Sequence, residues 1–327
     1  MEKPYKLIFG NCFDWLSSQP ENSVHAVITD PPFGLLEYRP DQVQKLRVRR
    51  GGVWRVPPEL DGCLRKPLPR FTVLSPDDLK GLEAFFFRWG RLVLPVLVPG
   101  GHVFIASNPL LSPLVASALM QAGFERRGEI IRLVRTLRGG DRPKLAEKEF
   151  DFVSVMPRSC YEPWGLFRKP ISEKRVSQNL KKWGTGGLRR TPDGRPFPDV
   201  LKSETPPVVE VEIAPHPSLK PQKLLRQLVW GSLPMQHGIV LDPFMGSGST
   251  VAAAAALGFT CVGIEVDKNF HEMSVGAVPK LASLEVAWQS FDGPNGNSTN
   301  SEPSRMELTA TLPFLPSQHI PVPGKLG

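Results

Sequence analysis

Four consecutive residues, Asp30-Pro31-Pro32-Phe33, follow a short apolar run and could act on a weakly nucleophilic amine. The exocyclic amine of a nucleobase is such a group, because its lone pair is drawn into the ring. A carboxylate at Asp30 and the rigid carbonyl of Pro31 can accept its two N–H bonds and turn the lone pair towards an electrophile. Phe33 offers a flat face on which a flipped base can stack. Taken alone, the same four residues also suit a turn that ends a strand.

A second group, residues 240–250 (VLDPFMGSGST), has the pattern of a strand, a glycine-rich turn and a helix start. Gly246 and Gly248 let the backbone approach a ligand closely, and the N-terminus of the following helix presents free N–H groups. Glu265 stands 19 residues after Gly246, at the end of the next predicted strand. A carboxylate at that position can accept both hydroxyls of a ribose.

The turn ends in hydroxyl residues, Ser249 and Thr250, where a dinucleotide-binding turn has its third glycine. A dinucleotide needs a tight approach to its pyrophosphate. The sequence therefore favours a nucleoside cofactor without phosphates, such as S-adenosylmethionine. The alternative is a glycine turn that serves only the packing of a helix on a strand.

Both groups need strands that end side by side, and the pattern of apolar residues predicts them. Strands are predicted over 5–9, 26–29, 102–106, 239–241 and 261–264, and helices over 13–18, from 75 through 89, 114–120, 221–233, 250–257 and about 267–288. This alternation predicts an α/β fold, a Rossmann-like sheet with helices on both faces. Ligands of open α/β sheets bind beyond the carboxyl ends of the strands, so Asp30 and the glycine-rich turn are expected to share one pocket.

The remaining stretches have little periodicity. Residues 35–75 are rich in Pro, Gly and Arg and predict a long loop, and Pro99-Gly100-Gly101 predicts a turn. Residues 136–215 predict a small, separately organised basic insertion, with Trp164 and Trp183 in its own core. The expected division is a domain of residues 1–135 and 216–290, that insertion, and a disordered tail over 291–327.

Composition excludes several classes of protein. Apolar residues make up 41% of the 327, which excludes wholesale disorder. No apolar run is long enough for a membrane span and no secretory signal is apparent, so the chain is expected to be cytoplasmic, with no membrane partner. Four dispersed cysteines fit a reduced chain without structural zinc, and no pair of histidines has metal-ligand spacing, so no metal is expected.

The net charge of +8 is unevenly distributed. Residues 35–72 carry +5 and residues 126–202 carry +10, so the rest of the chain carries −7. Such asymmetry is typical of proteins that bind polyanions, although two solvated loops would give the same count. The candidate DNA contacts in these two segments are Arg47, Arg49, Arg50, Lys181, Lys182, Arg189 and Arg190.

Taken together, the two groups resemble the beta class of DNA amino-methyltransferases. In that class the catalytic motif comes first, a variable target-recognition region follows, and the cofactor motif comes last, a circular permutation of the common methyltransferase order. Three further stretches are similar to family motifs: Gly10-Asn11-Cys12, where the family has Gly-Asp-Cys, Pro99-Gly100-Gly101-His102-Val103, and His216-Pro217-Ser218-Leu219-Lys220-Pro221.

The resemblance implies methyl transfer from S-adenosylmethionine to a flipped base in double-stranded DNA, without a covalent enzyme intermediate. It assigns the target amine to Asp30 and Pro31, with Pro32 fixing the turn, and base stacking to Phe33. It implies that the cofactor is contacted by Asn11, Cys12, Asp30, Phe244, Gly246, Gly248 and Glu265, and near its methionine end by Lys220, Asp242, Ser249 and Thr250.

The identity of the target base depends on one position. Family members that begin the catalytic motif with Asp usually act on adenine N6, and those that begin it with Ser usually act on cytosine N4. Asp30 therefore indicates adenine, with cytosine N4 as the alternative. A DNA-binding protein that has kept the fold and lost turnover is an alternative of another class. A cognate restriction endonuclease is a candidate partner, and either a monomer or a homodimer fits the sequence.

Overall fold

The structure is a computed structural model that describes residues 3–32, 59–60, 63–64, 76–134, 142–143, 145–216 and 218–286. The strands in these residues are β1 (Tyr5–Phe9), β2 (Val24–Thr29), β3 (Glu59–Leu60), β4 (Cys63–Leu64), β5 (Leu97–Ala106), β6 (Glu125–Leu133), β7 (Tyr161–Arg168), β8 (Val200–Lys202), β9 (Ile239–Asp242) and β10 (Thr260–Glu265). The helices are α1 (Cys12–Ser18), α2 (Pro76–Val96), α3 (Ser112–Ala122), α4 (Val176–Trp183), α5 (Val208–Ile213), α6 (Gln222–Ser232), α7 (Ser249–Ala256) and α8 (Lys268–Ala282).

One eight-stranded sheet forms the centre, in the order β1-β10-β9-β2-β5-β7-β6-β8. The first five strands in this spatial order, β1, β10, β9, β2 and β5, run parallel. β7 runs antiparallel to both of its neighbours, and β8 pairs parallel with β6. β3 and β4 form a separate antiparallel pair. The sheet therefore has a parallel half, which ends at the candidate catalytic residues, and a mixed half beside it.

Helices cover both faces of the sheet, as predicted. Ala26 and Ile28 of β2 point to one apolar core, which contains the buried residues of α6, α7 and α8. Val27, between them in sequence, points to the other core, which contains those of α1, α2 and α3. This alternation explains why β2 reads as a continuous apolar run, since both of its faces are buried.

The α/β prediction is confirmed, and each predicted strand corresponds to an observed one. The turn predicted at Pro99-Gly100-Gly101 is wrong, because these residues lie inside β5. The pairing of β2 with β5 shifts register there, between Val24 and Ala26, so the strand continues through an irregularity. Gly100 has φ +82°, and a Cβ on it would lie 2.9 Å from the backbone of Gly186. Glycine at position 100 allows both the irregular strand backbone and the close approach of the segment that contains Gly186.

The prediction of a separately organised insertion over 136–215 is also wrong for its central part. β7 lies between β5 and β6, and Trp164 pairs with Ala106 on one side and Ile130 on the other. Trp164 is fully buried in the main core, so it does not form a core of its own. The described residues belong to one compact unit. The YEPWGLFR sequence of β7 has no clean alternation, and its partners lie far away in the chain, which is why the pattern did not reveal it.

Two predictions fall outside the described residues, the arginine-rich loop through Arg47, Arg49 and Arg50, and the tail over 291–327. Within the described part of the chain, no helix combines the length and apolar character needed to cross a bilayer.

Candidate active site

The carboxyl ends of β2 and β9 lie side by side and bring the two predicted groups to one edge of the sheet. Val27 of β2 pairs with Leu241 of β9. At the strand ends, the Thr29 hydroxyl donates a 2.7 Å hydrogen bond to Asp242 Oδ1. Asp30 follows Thr29 directly. The prediction that Asp30 and the glycine-rich turn meet at the same edge, called the carboxyl edge below, is confirmed.

The glycine-rich turn, residues 243–248, depends on two backbone conformations that L side chains rarely adopt. Gly246 has φ +51° and Gly248 has φ +82°. A Cβ on Gly246 would lie 3.0 Å from His216 Nε2, and a Cβ on Gly248 would overlap Val278 Cγ2. Both positions therefore require glycine, and the backbone of the turn can lie close to its neighbours.

Glu265 ends β10 and ties the turn to its surroundings through both carboxylate oxygens. Oε2 accepts a 2.8 Å hydrogen bond from the N–H of Gly246, and Oε1 accepts one of 2.8 Å from the N–H of Asp267. The Glu265 carbonyl accepts a 2.9 Å bond from the N–H of Gly10. Each carboxylate oxygen keeps a further lone pair, so this half-buried group can also accept bonds from two hydroxyls.

Asp242 and Phe244 hold the glycine-rich turn in place through buried contacts. Burial raises the pKa of Asp242 to about 7, although hydrogen bonds from Thr29, Thr250 and the N–H of Phe244 favour the ionised form. The Phe244 ring lies 6.0 Å from the ring of Trp89 on α2, measured between centroids. The hydrogen bonds to the Asp242 carboxyl join the ends of β2 and β9 to the glycine-rich turn, and its place near the methionine end of the cofactor stays a prediction.

Asp30 is largely buried, and its two carboxylate oxygens have different surroundings. Oδ2 accepts a hydrogen bond from Lys220 Nζ. Oδ1 is buried and has no hydrogen-bond partner among the described residues. Burial raises the pKa of Asp30 above its ordinary value, and the Lys220 ammonium opposes that rise. The side chain as a whole is 16% exposed.

Glu162, which the sequence did not single out, completes this cluster. It stands at the second position of β7, and its Oε2 lies 3.6 Å from Lys220 Nζ. Its Oε1 accepts a 2.9 Å bond from Trp164 Nε1 and one of 3.4 Å from Arg132. Burial opposes ionisation, but Lys220 and Arg132 outweigh it and hold the pKa of Glu162 below its ordinary value. The only sequence signal was a lone acidic residue at the start of an otherwise apolar stretch.

The predicted cofactor contacts Asn11 and Cys12 lie beside Glu265. Asn11 caps α1, since its side chain accepts a 2.9 Å bond from the N–H of Phe13. Cys12 is buried, and burial raises the pKa of its thiol to about 12. Gly10 bonds to the Glu265 carbonyl, as described above. The departure from the Gly-Asp-Cys pattern therefore preserves a capping side chain.

The other predicted site residues are placed as follows. Ser249 and Thr250 begin α7 and are buried, and the Ser249 carbonyl accepts a 2.9 Å bond from Gln222 Nε2. Pro31 is buried and Pro32 is exposed. Phe33 lies outside the described residues, so base stacking on its ring stays a prediction.

The four predicted DNA contacts of the middle segment lie at the opposite edge of the sheet from Asp30. Lys181 and Lys182 are in the last turn of α4, whose Asn179 donates a 2.9 Å bond to the carbonyl of Pro99 near the start of β5. Ala106, at the end of β5, is level with Asp30. Pro99 lies seven residues before Ala106 along the same strand, so Pro99 and Asp30 are about 20 Å apart at 3.3 Å per residue.

Arg189 and Arg190 lie near the end of α6, whose start adjoins Lys220. The Arg189 guanidinium stacks 3.2 Å above the Trp230 ring, and Arg190 donates a 2.7 Å bond to the Gly194 carbonyl. These four residues therefore lie away from Asp30, and their role as DNA contacts stays a prediction.

A different part of the middle segment does lie at the carboxyl edge. The chain between β6 and β7 leaves β6 after Leu133, which pairs with Tyr161 at the start of β7. Within its described part, several apolar side chains are exposed, including Leu145 at 89% and Phe152 at 82%. The two ends of this β6–β7 segment, described over 145–160, therefore lie at the carboxyl edge.

Comparison with known proteins places the chain in a family. A family model described as DNA methylase, of the N6 and N4 amino-methyltransferases, matches residues 24–276, more than half of the chain. The Type II methyltransferase M2.DpnII of Streptococcus pneumoniae is 24% identical over 280 residues, which cover 84% of this chain and 91% of that protein.

Two solved structures share the fold. TTHA0409 of Thermus thermophilus, described as a DNA modification methylase and complexed with S-adenosyl-L-methionine, superposes with a TM-score of 0.53 at 21% identity, covering 85% of this chain and 96% of that one. The PvuII DNA methyltransferase, described as cytosine-N4-specific, superposes with a TM-score of 0.54 at 15% identity, covering 87% and 89%.

Proposed function

Because the chain belongs to the DNA methylase family of N6-adenine and N4-cytosine amino-methyltransferases, we propose that it methylates N6 of adenine in double-stranded DNA. The cofactor is S-adenosylmethionine. The observation that carries the proposal is the Asp30 carboxylate. Its Oδ1 is a buried acceptor without a partner among the described residues, next to the glycine-rich turn.

The residues of the turn fit the cofactor. The half-buried Glu265 carboxylate keeps lone pairs for two hydroxyls of a ribose, and a nearby phosphate would be repelled by it. Glycine at 246 and 248 gives the turn the backbone conformation that places it at this edge. When bound, S-adenosylmethionine supplies an electrophilic methyl group. Asn11 and Cys12, beside Glu265, are proposed to contact the adenine of the cofactor. Ser249 and Thr250 are proposed to form the start of α7 near its methionine end.

Asp30 and Pro31 are proposed to hold the target amine. One amine N–H donates to Asp30 Oδ1 and the other to the Pro31 carbonyl, which orients the lone pair away from both acceptors. The amine loses one proton in the reaction, and Asp30 Oδ1 is the group that holds it before water removes it. Pro32 fixes the backbone, and Phe33 stacks on the flipped base.

Adenine is proposed because the catalytic motif begins with Asp30. The fold does not discriminate between the two bases, since the cytosine-N4-specific PvuII enzyme shares it. Cytosine N4 is therefore the second candidate, and the same two acceptors would serve its amine.

DNA is proposed to bind across the carboxyl edge, with the β6–β7 segment as part of the target-recognition region and the arginine-rich loop after Phe33 as a further contact. The name of the relative M2.DpnII, a Type II methyltransferase, supports a restriction endonuclease as a partner of the same system. A cytoplasmic location follows from such a system. Monomer and homodimer both fit this proposal.

The test is methylation of unmodified genomic DNA by the purified protein with isotopically labelled S-adenosylmethionine. Digestion to nucleosides and mass spectrometry should find label in N6-methyladenine. Label in N4-methylcytosine would select the second candidate. No labelled nucleoside, with cofactor binding intact by calorimetry, would refute both and favour a DNA-binding protein without turnover.

A further inference from the structure

Four charged side chains of alternating sign form a buried row beside the proposed target position. Asp30 bonds to Lys220, Lys220 faces Glu162 at 3.6 Å, and Glu162 accepts a 3.4 Å bond from Arg132. The side chains of Lys220 and Arg132 are only 10% and 6% exposed. Two anions and two cations balance, which is the condition for keeping charges in a site with little water.

The outer end of the row is anchored firmly. Arg132 also donates a 3.0 Å bond to Ser203 Oγ and a 3.1 Å bond to the Glu204 carbonyl. Glu162 is fixed on its other side by the indole N–H of Trp164, which is fully buried. The oxygen that faces Lys220 is therefore held in place by rigid elements, β6 and β7.

At the inner end of the row, the two oxygens of the Asp30 carboxylate have different surroundings. Lys220 occupies Oδ2 and leaves Oδ1 as a buried acceptor. The terminal torsion of an aspartate is broad and roughly two-fold, so an unrestrained carboxylate could exchange its oxygens. Lys220 prevents that exchange when Glu162 holds its ammonium group from the other side.

We propose that Glu162 is a positioning residue, which holds Lys220 on Asp30 Oδ2 so that Oδ1 alone accepts the N–H of the target amine. This inference rests on the proposed function, because it assigns a role in the same site. It also moves the role of Lys220 from the methionine end of the cofactor to the catalytic carboxylate. The competing explanation is that Glu162 only satisfies the Trp164 indole and the Arg132 guanidinium.

The two explanations differ in the pH dependence of methyl transfer. The charged groups that face Asp30 are Lys220, Glu162 on β7, Arg132 on β6 and Asp242 on β9. The negative charge of Glu162 makes Asp30 harder to ionise, whereas the positive charge of Lys220 makes it easier. If Glu162 holds Lys220 on Asp30, removing Glu162 releases the ammonium and should move the acidic limb of the rate profile to higher pH, as removing Lys220 does. If Glu162 only satisfies Trp164 and Arg132, Lys220 stays in place, and loss of the negative charge should move the limb to lower pH.

The experiment measures single-turnover methylation of unmodified genomic DNA against pH, with saturating cofactor, for the wild type, Glu162→Gln and Lys220→Met. In Glu162→Gln the amide oxygen can still accept from Trp164, which places an NH₂ group towards Lys220. We expect the acidic limb to move to higher pH in both Glu162→Gln and Lys220→Met, by roughly one pH unit in Lys220→Met. The plateau rate of Glu162→Gln should fall about 10- to 100-fold, since Asp30 is then poorly oriented.

Glu125→Gln is the matched control. It breaks the 2.5 Å pair between Glu125 and Arg168, which joins the same two strands, β6 and β7, at their other end. Its limb and plateau should match the wild type. An equal shift in Glu125→Gln, or a limb at wild-type or lower pH in Glu162→Gln, would overturn the positioning role. If Glu162→Gln does not fold, a wild-type limb in Lys220→Met overturns it equally.

Failure of the inference and failure of the proposed function give different results. A wild-type protein that methylates no DNA refutes the function itself. A wild-type protein that methylates DNA, together with unshifted profiles in both variants, refutes only the role of Glu162. Calorimetry with S-adenosylmethionine on each variant shows that the cofactor site is intact.

Discussion

Replacing Asp242 by asparagine should flatten the pH dependence of the protein's stability between pH 5 and 8. Burial raises the pKa of this carboxyl from its ordinary 3.8 to about 7. The folded protein therefore holds a proton over a pH range in which the unfolded chain has lost it. The stability that this proton contributes is fully present below pH 3.8 and is lost as the pH rises towards 7.

The expected magnitude follows from the size of that window. Each pH unit well inside it lowers the free energy of unfolding by about 1.4 kcal/mol, and the slope falls away near pH 7, so the wild type loses about 3 kcal/mol between pH 5 and 8 from this one group. Asparagine does not ionise and has the shape of the protonated carboxyl. Its Oδ1 can still accept the bonds from the Thr29 hydroxyl and the Phe244 N–H. The variant should therefore lose none of this stability.

The assay is urea unfolding at pH 5, 6, 7 and 8 without cofactor, followed by tryptophan fluorescence. The quantity of interest is the free energy of unfolding of the variant minus that of the wild type, in which other titrating groups cancel. It should rise with pH by about 3 kcal/mol. Asp77→Asn is the control, because that side chain is 92% exposed, and its difference should stay flat. A difference for Asp242→Asn that is also constant with pH would refute the reasoning.

Asp30→Asn should slow single-turnover methylation about 100- to 1,000-fold and leave cofactor affinity unchanged by calorimetry; full activity would remove Asp30 from the site. Glu265→Ala should raise the cofactor Kd roughly 10- to 100-fold, because a carboxylate that accepts several bonds is lost, and an unchanged Kd would contradict the ribose assignment. Gly248→Ala should cost about 2–4 kcal/mol of stability in urea unfolding, since strain adds to overlap with Val278. Gly258→Ala, left-handed but in open space, should cost only about 1–2 kcal/mol, and equal losses would show that packing at Gly248 plays no part.

The sequence predicted the parallel half of the sheet because its strands are buried on both faces and read as apolar runs. β9 ends at Asp242 and β2 is followed directly by Asp30, and parallel strands end at one edge, so the meeting of Asp30 with the glycine-rich turn followed from pattern alone. Gly246 and Gly248 also marked the turn in the sequence, because glycine suits the left-handed backbone conformation at these two positions.

The mixed half of the sheet depends on contacts that no local pattern carries. Lys220 reaches Asp30 across 190 residues of chain, and Arg132 reaches Glu162 across 30. Glu162 looked like one acid in a basic segment, although its burial gives it a specific partner on each side. The charge count also does not say where its residues lie: Lys181 and Arg189 are away from Asp30, because a basic segment that crosses the sheet places its charges at both edges.

The most direct measurement of the central claim is modified-base sequencing of DNA from a methylation-free host that expresses the protein. The wild type should give N6-methyladenine at one recurring sequence, and Asp30→Asn should give none at equal protein levels. An unmodified genome with the wild type, or the same methylation with Asp30→Asn, would contradict the account.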